Sequence, residues 1–141
     1  MNSSWGMFLQ ELEHMLNQPS YCGEGNGLSV GVGLNQVAEE IHENAKAHGW
    51  WSENKSFPEI IALCHSELSE ALEEYRKGKE PNENYFGADG KKPEGIPSEL
   101  ADVIIRVLDY CAYAKIDIEK AILMKHEYNK SRPYRHGGKI C

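Results

Sequence analysis

Apolar residues recur along the chain at three- and four-residue steps, in runs broken by glycine, proline and charge, which is the spacing of helices buried along one side. Between residues 4 and 17, Trp5, Phe8, Leu9, Leu12, Met15 and Leu16 follow this period and Pro19 comes just after, predicting a short amphipathic helix. Val37, Ala38, Ile41 and Ala45 resume it and Gly49 stops it, predicting a helix over 34–48. Ser56 is placed as an N-cap with Pro58 in the turn it opens, and the stripe Ile61, Cys64, Leu68, Ala71, Leu72 and Tyr75 then runs to Gly78. Pro97 and Ser98 begin a third helix with the stripe Leu100, Val103, Ile104, Val107, Leu108 and Cys111. Asp117 caps a fourth, from Ile118 to about Lys130, and Pro133 forbids much continuation. No segment outside the glycine-rich stretch alternates as a strand, and no solenoid repeat is present. The predicted class is all-α, a helical bundle of four core helices plus a short N-terminal helix.

Two connections are unusual. Residues 18–33 hold Gly23, Gly25, Gly27, Gly31 and Gly33, but no strand precedes them and no Gly-Lys-Ser/Thr follows, so they read as a connector and not as a phosphate loop. Residues 78–97 are rich in Gly, Pro, Asn and charge, and a connection of that length in so small a domain is functional or disordered. The expected organisation is therefore an N-terminal helix and connector over 1–33, a helical domain over 34–136 and a flexible tail over 137–141.

Composition narrows the classes. The 141 residues suit one domain, and with 40% apolar and 26% charged residues the chain is ordinary for a globular protein. No apolar run approaches the roughly 18 residues of a membrane span, and Met1 to Trp5 has no secretion-signal pattern. A cytoplasmic location is the default expectation. Cys22, Cys64, Cys111 and Cys141 form neither a CxxC pair nor a disulfide ladder. The net charge of −7 is uneven: residues 120–141 carry six Lys or Arg against the single acid Glu127, so that segment is +5 and the rest −12. An acidic body with a basic end suits a metal site that also grips phosphate, whereas a nucleic acid would be repelled over most of the surface, and none is expected as a partner.

Glu67 and Glu70 stand three residues apart on the second predicted helix, and Glu99 and Asp102 have the same spacing on the third. Side chains at i and i+3 are neighbours on a helix, so each pair presents two carboxylates side by side next to an apolar stripe. Four carboxylates brought together repel one another unless a cation neutralises them, and all-oxygen ligation favours Mg²⁺ or Mn²⁺ over zinc. The same acids also fit a plain solvated face, and spacing alone leaves both readings open.

The contexts Ser-Glu-Leu-Ser-Glu-Ala-Leu-Glu-Glu around Glu67 and Glu70, and Ser-Glu-Leu-Ala-Asp-Val-Ile-Ile-Arg around Glu99 and Asp102, resemble the MazG and dimeric dUTPase/dCTPase superfamily of all-α nucleoside triphosphate pyrophosphatases. The resemblance covers about residues 34–136. It implies a four- or five-helix fold assembling as a homodimer or homotetramer, with Glu67, Glu70, Glu99 and Asp102 holding Mg²⁺. It also implies hydrolysis of a nucleoside triphosphate, a deoxynucleotide or a non-canonical one, to the monophosphate and pyrophosphate, as in cleansing of the nucleotide pool. Glu67 or Glu70 would orient or deprotonate the attacking water. The long 78–97 connection and the N-terminal helix depart from the compact members.

Lys125, Asn129 and Arg132 recur at helix-face spacing, and the resemblance gives a Lys and an Asn of the last helix to the nucleotide; the alternative for these residues is a solvated helix end. His136-Gly137-Gly138-Lys139 looks like a subfamily signature whose glycines let backbone approach phosphate. Trp51 or its neighbour Trp50 is a candidate to stack on the base, or else a core aromatic. Tyr85 and Phe86 would close the long connection over the nucleotide or anchor it to a second subunit. Two rivals remain. Glu11-x-x-His14 and Glu39-x-x-His42 fit the Glu-x-x-His element of a ferritin-like di-iron bundle, and the same fold without turnover would be a nucleotide-binding regulatory module.

Overall fold

A computed structural model describes residues 33–134. The predicted N-terminal helix, the glycine-rich connector, Glu11, His14 and the His136–Lys139 motif lie outside the described residues. Within them the chain forms four helices: α1 (Leu34–Ala47), α2 (Phe57–Arg76), α3 (Ile96–Tyr113) and α4 (Ile118–Lys130). No described helix is long and apolar enough to cross a membrane.

Local chemistry sets most of the helix ends. Ser56 closes a capping box at α2: its hydroxyl accepts from the Glu59 amide at 3.4 Å, and the Glu59 carboxylate accepts from the Ser56 amide at 2.6 Å. Asp117 caps α4 by accepting from the Lys120 amide at 3.1 Å. Gly49 and Gly78, with φ of 79° and 83°, take the left-handed conformation just after α1 and α2 that a side chain would resist. The third helix begins at Ile96 with Gly95 as its cap, ahead of the expected Pro97–Ser98 start, and the Ser98 hydroxyl instead donates to the Pro93 carbonyl at 3.0 Å.

The connection before α3 corrects the expectation that no strand is present. It folds into an antiparallel hairpin of β1 (Tyr85–Phe86) and β2 (Pro93–Glu94), with Tyr85 opposite Glu94 and Phe86 opposite Pro93. Asp89 organises the turn by accepting from the Lys91 and Lys92 amides at 2.9 and 3.1 Å. The hairpin is tied to α2 because the Tyr85 hydroxyl donates to Glu74 at 2.6 Å, while Lys79 lies 4.0 Å from the centre of the Tyr85 ring. Two-residue strands carry too little alternation to register in a sequence.

Helix α3 is the centre of the bundle and packs against both α1 and α2. Ala38, Leu108 and Ala112 form the core between α1 and α3, with Leu34, Val37, Ile41 and Ile118 around them. Asn35 docks α4 by donating to Asp117 at 2.8 Å and accepting from the Ile118 amide at 3.0 Å. The apolar stripes divide in an unexpected way. The inward side of α2 is Ile60, Cys64, Glu67, Ala71 and Glu74, whereas Ile61, Leu68, Leu72 and Tyr75 of the predicted stripe are exposed. On α3, Leu108 and Cys111 are buried but Leu100, Ile104 and Val107 are not. Four of the six residues of the α2 stripe and three of the six of the α3 stripe therefore lie exposed, as an apolar band on this single chain.

Candidate metal centre

The packing of α3 against α2 brings acids of the two helices together, an arrangement that the spacing alone left open. Oxygens of Glu67 and Glu70 from α2 and of Glu99 from α3 all lie within 4.8 Å of one another. Glu67 and Glu99 are buried and Glu70 is exposed. Asp102 is outside this trio but close enough that its charge acts on Glu99. Burial first, and then the charges of Glu70, Asp102 and Glu67, push the Glu99 carboxyl above its ordinary value. No donor among the described residues hydrogen-bonds to the Glu99 carboxylate. A buried carboxylate facing other carboxylates without a donor fits a hard divalent cation, the partner that an all-oxygen set prefers.

One cation already serves the cluster. Arg106, seven residues after Glu99 and four after Asp102, reaches across from α3 to α2, where its Nε donates to Glu67 Oε1 at 2.8 Å and its Nη2 donates to the same oxygen. The guanidinium also lies over the Trp50 ring, 5.2 Å from its centre. Arg106 is the functional candidate that the sequence reading missed, although its i+4 step from Asp102 puts it on the acid-bearing side of α3.

Beside the acids, between α1 and α3, lies a cleft of about 320 Å³ whose polar lining includes Asn44, His48, Trp50, Asp102, Arg106 and Asp109. Of the two adjacent tryptophans it is Trp50, 47% exposed, that faces it. Trp51 is engaged within the protein: its Nε1 donates to both oxygens of Asp109 at 3.0 Å and its ring stacks on Tyr113 with centres 4.2 Å apart. Asp109 Oδ1 also lies 2.6 Å from Nδ1 of the buried His42. His42 is thus a partnered core histidine, and Glu39, from the same Glu-x-x-His step, points instead to Lys115 at 3.4 Å.

The remaining candidates stand apart. Lys125 and Asn129 are exposed and Arg132 is half-buried, and no hydrogen bond or ion pair among the described residues joins any of them to the four acids. Lys125 lies 5.3 Å from the centre of its own helix's Tyr128 ring. Tyr85 is occupied by Glu74, whose hydrogen bond pushes the phenol up to about 12, so it braces the hairpin, while Phe86 is exposed. Cys64 and Cys111 are buried free thiols, pushed up by burial.

The chain has no significant match to a protein-family model, to a curated protein or to a solved structure.

Proposed function

We propose that the protein is a Mg²⁺-dependent nucleoside triphosphate pyrophosphohydrolase of the MazG-like, all-α type. The observation that carries this reading is the convergence of Glu67, Glu70 and Glu99 from two Glu-x-x-acid motifs on neighbouring helices, with Asp102 alongside. When bound, Mg²⁺ or Mn²⁺ would neutralise charge on the triphosphate and make water more acidic. Glu67, Glu70, Glu99 and Asp102 would hold the ion, and Arg106 keeps Glu67 oriented while the acids are free of it. Glu70 is the exposed member, and it is the carboxylate best placed to take a proton from water that adds to phosphorus as the anhydride bond breaks, leaving monophosphate and pyrophosphate.

The cleft beside Asp102 has the size and mixed polarity of a nucleoside site, with Trp50 as its stacking surface. Trp50 takes the role expected for Trp51 because Trp51 is stacked and hydrogen-bonded inside the protein. Assembly as a homodimer or homotetramer belongs to the same reading and is supported by the apolar band of α2 and α3. Lys125, Asn129 and Arg132 are proposed to meet phosphate within such an assembly.

The test is to incubate the protein with Mg²⁺ and a panel of standard and damaged ribo- and deoxyribonucleoside triphosphates, assaying monophosphate and pyrophosphate, with Glu70→Ala as the control. Release that needs both metal and Glu70 is expected. A folded, metal-replete protein that turns over nothing in the panel would remove the hydrolase reading.

A further inference from the structure

We propose that Arg106 exchanges partners, neutralising Glu67 while the carboxylates hold no cation and binding the triphosphate chain once they do. This rests on the metal-site reading above and adds to it an order of events. Glu67 is buried, and both donors that Arg106 gives it converge on Oε1, so its charge is already neutralised by the guanidinium when a metal ion arrives and the two cations compete to neutralise one carboxylate. Like charge adds to the competition, because a divalent cation among Glu67, Glu70 and Glu99 would repel a guanidinium held against one of them.

A displaced guanidinium would not leave the site. Its ring-facing side lies against Trp50, and both residues line the cleft that runs past Asp102. Arginine has five N–H donors in a planar fork and stays charged at any working pH. Two of the five bond to Glu67, and Arg106 makes no other hydrogen bond among the described residues. The best partner for such a fork is the phosphate chain that the metal would bring alongside, since charge-assisted forked bonds to phosphate are among the strongest available. Metal and triphosphate then favour each other's binding, and by linkage the effect is reciprocal.

The experiment titrates Mn²⁺ into the metal-free protein, and then the Mn²⁺ complex of inorganic triphosphate into the Mn²⁺-saturated protein, for the wild type, Arg106→Gln and Arg106→Lys. Arg106→Gln is expected to bind Mn²⁺ about tenfold more tightly and the triphosphate complex about tenfold more weakly, the worth of one charge-assisted pair in each direction. Arg106→Lys keeps the charge without the fork and is expected to fall between the two in both titrations. Should Arg106→Gln not fold, the lysine variant alone carries the test. Unchanged or weaker Mn²⁺ binding in the folded variants, or undiminished triphosphate binding, would make Arg106 a structural strut and overturn the exchange while leaving the metal site standing. A wild type that takes up no Mn²⁺ would instead remove the metal-site reading and the exchange with it.

Discussion

Gly95 sits where the hairpin hands over to the acid-bearing helix, and replacing it with alanine tests whether that handover positions the site. Its φ of 111° and ψ of 168° fall in a region that essentially only glycine occupies, which costs a side chain roughly 1–3 kcal/mol. A Cβ there would also stand 2.4 Å from the Glu83 carbonyl oxygen, backbone that has to shift to make room. Strain and overlap together come to about 3 kcal/mol, a large share of the roughly 5–15 kcal/mol that holds a domain of this size together. Gly78→Ala is the internal control, because Gly78 has a φ of 83° but nothing within 4 Å of the added carbon. It therefore costs only about 1–2 kcal/mol of left-handed strain. Thermal unfolding followed by helical circular dichroism should show Gly95→Ala melting roughly 10–20 °C below the wild type and Gly78→Ala roughly 5–10 °C below it. Glu99 lies one helical turn after Gly95, so Mn²⁺ affinity should fall in Gly95→Ala and hold in Gly78→Ala. Equal melting of the two variants would refute the steric argument, and undiminished Mn²⁺ binding by Gly95→Ala would refute the link to the site.

The carboxylate cluster makes a prediction with a definite sign. Glu99 binds its proton more tightly in the folded protein than in the unfolded chain, so without metal the fold loses stability as pH rises through and above the ordinary glutamate range. Glu99→Gln removes that loss: denaturant titrations without metal should find the variant more stable than the wild type near about pH 7 and similar near about pH 4, and parallel pH profiles would contradict the cluster electrostatics. The apolar band is tested with Leu72→Asp. Leu72 is 58% exposed on α2, and full burial of a leucine is worth about 1.5–3 kcal/mol, so covering it contributes about 1–2 kcal/mol per copy. Sedimentation should show an oligomer for the wild type that weakens in the variant, and a wild type that sediments as a monomer at all concentrations would discard self-association through this face.

What the sequence determined by itself is what lies within a few residues along the chain. The Ser56 and Asp117 caps and the glycine stops at Gly49 and Gly78 are local arrangements of donors, acceptors and allowed φ, and each was readable because its partner is at most a few positions away. The pairing of Glu67 with Glu70 and of Glu99 with Asp102 on helix faces followed from the period alone. Periodicity does not say what covers a face, however. It gave one stripe on α2, whereas packing turned Cys64 and Ala71 inward with Glu67 and Glu74 and left Leu68, Leu72 and Tyr75 outward. The hairpin, whose two-residue strands are too short to have a pattern, is held by the Asp89 turn and tied to α2 by the bond from Tyr85 to Glu74. Trp50 and Trp51 are indistinguishable as neighbours in sequence and were separated only when Asp109 and Tyr113 of α3 claimed one of them. Arg106 likewise gained its meaning from Glu67, 39 residues away, because the buried charge needs a partner that only the crossing of two helices supplies.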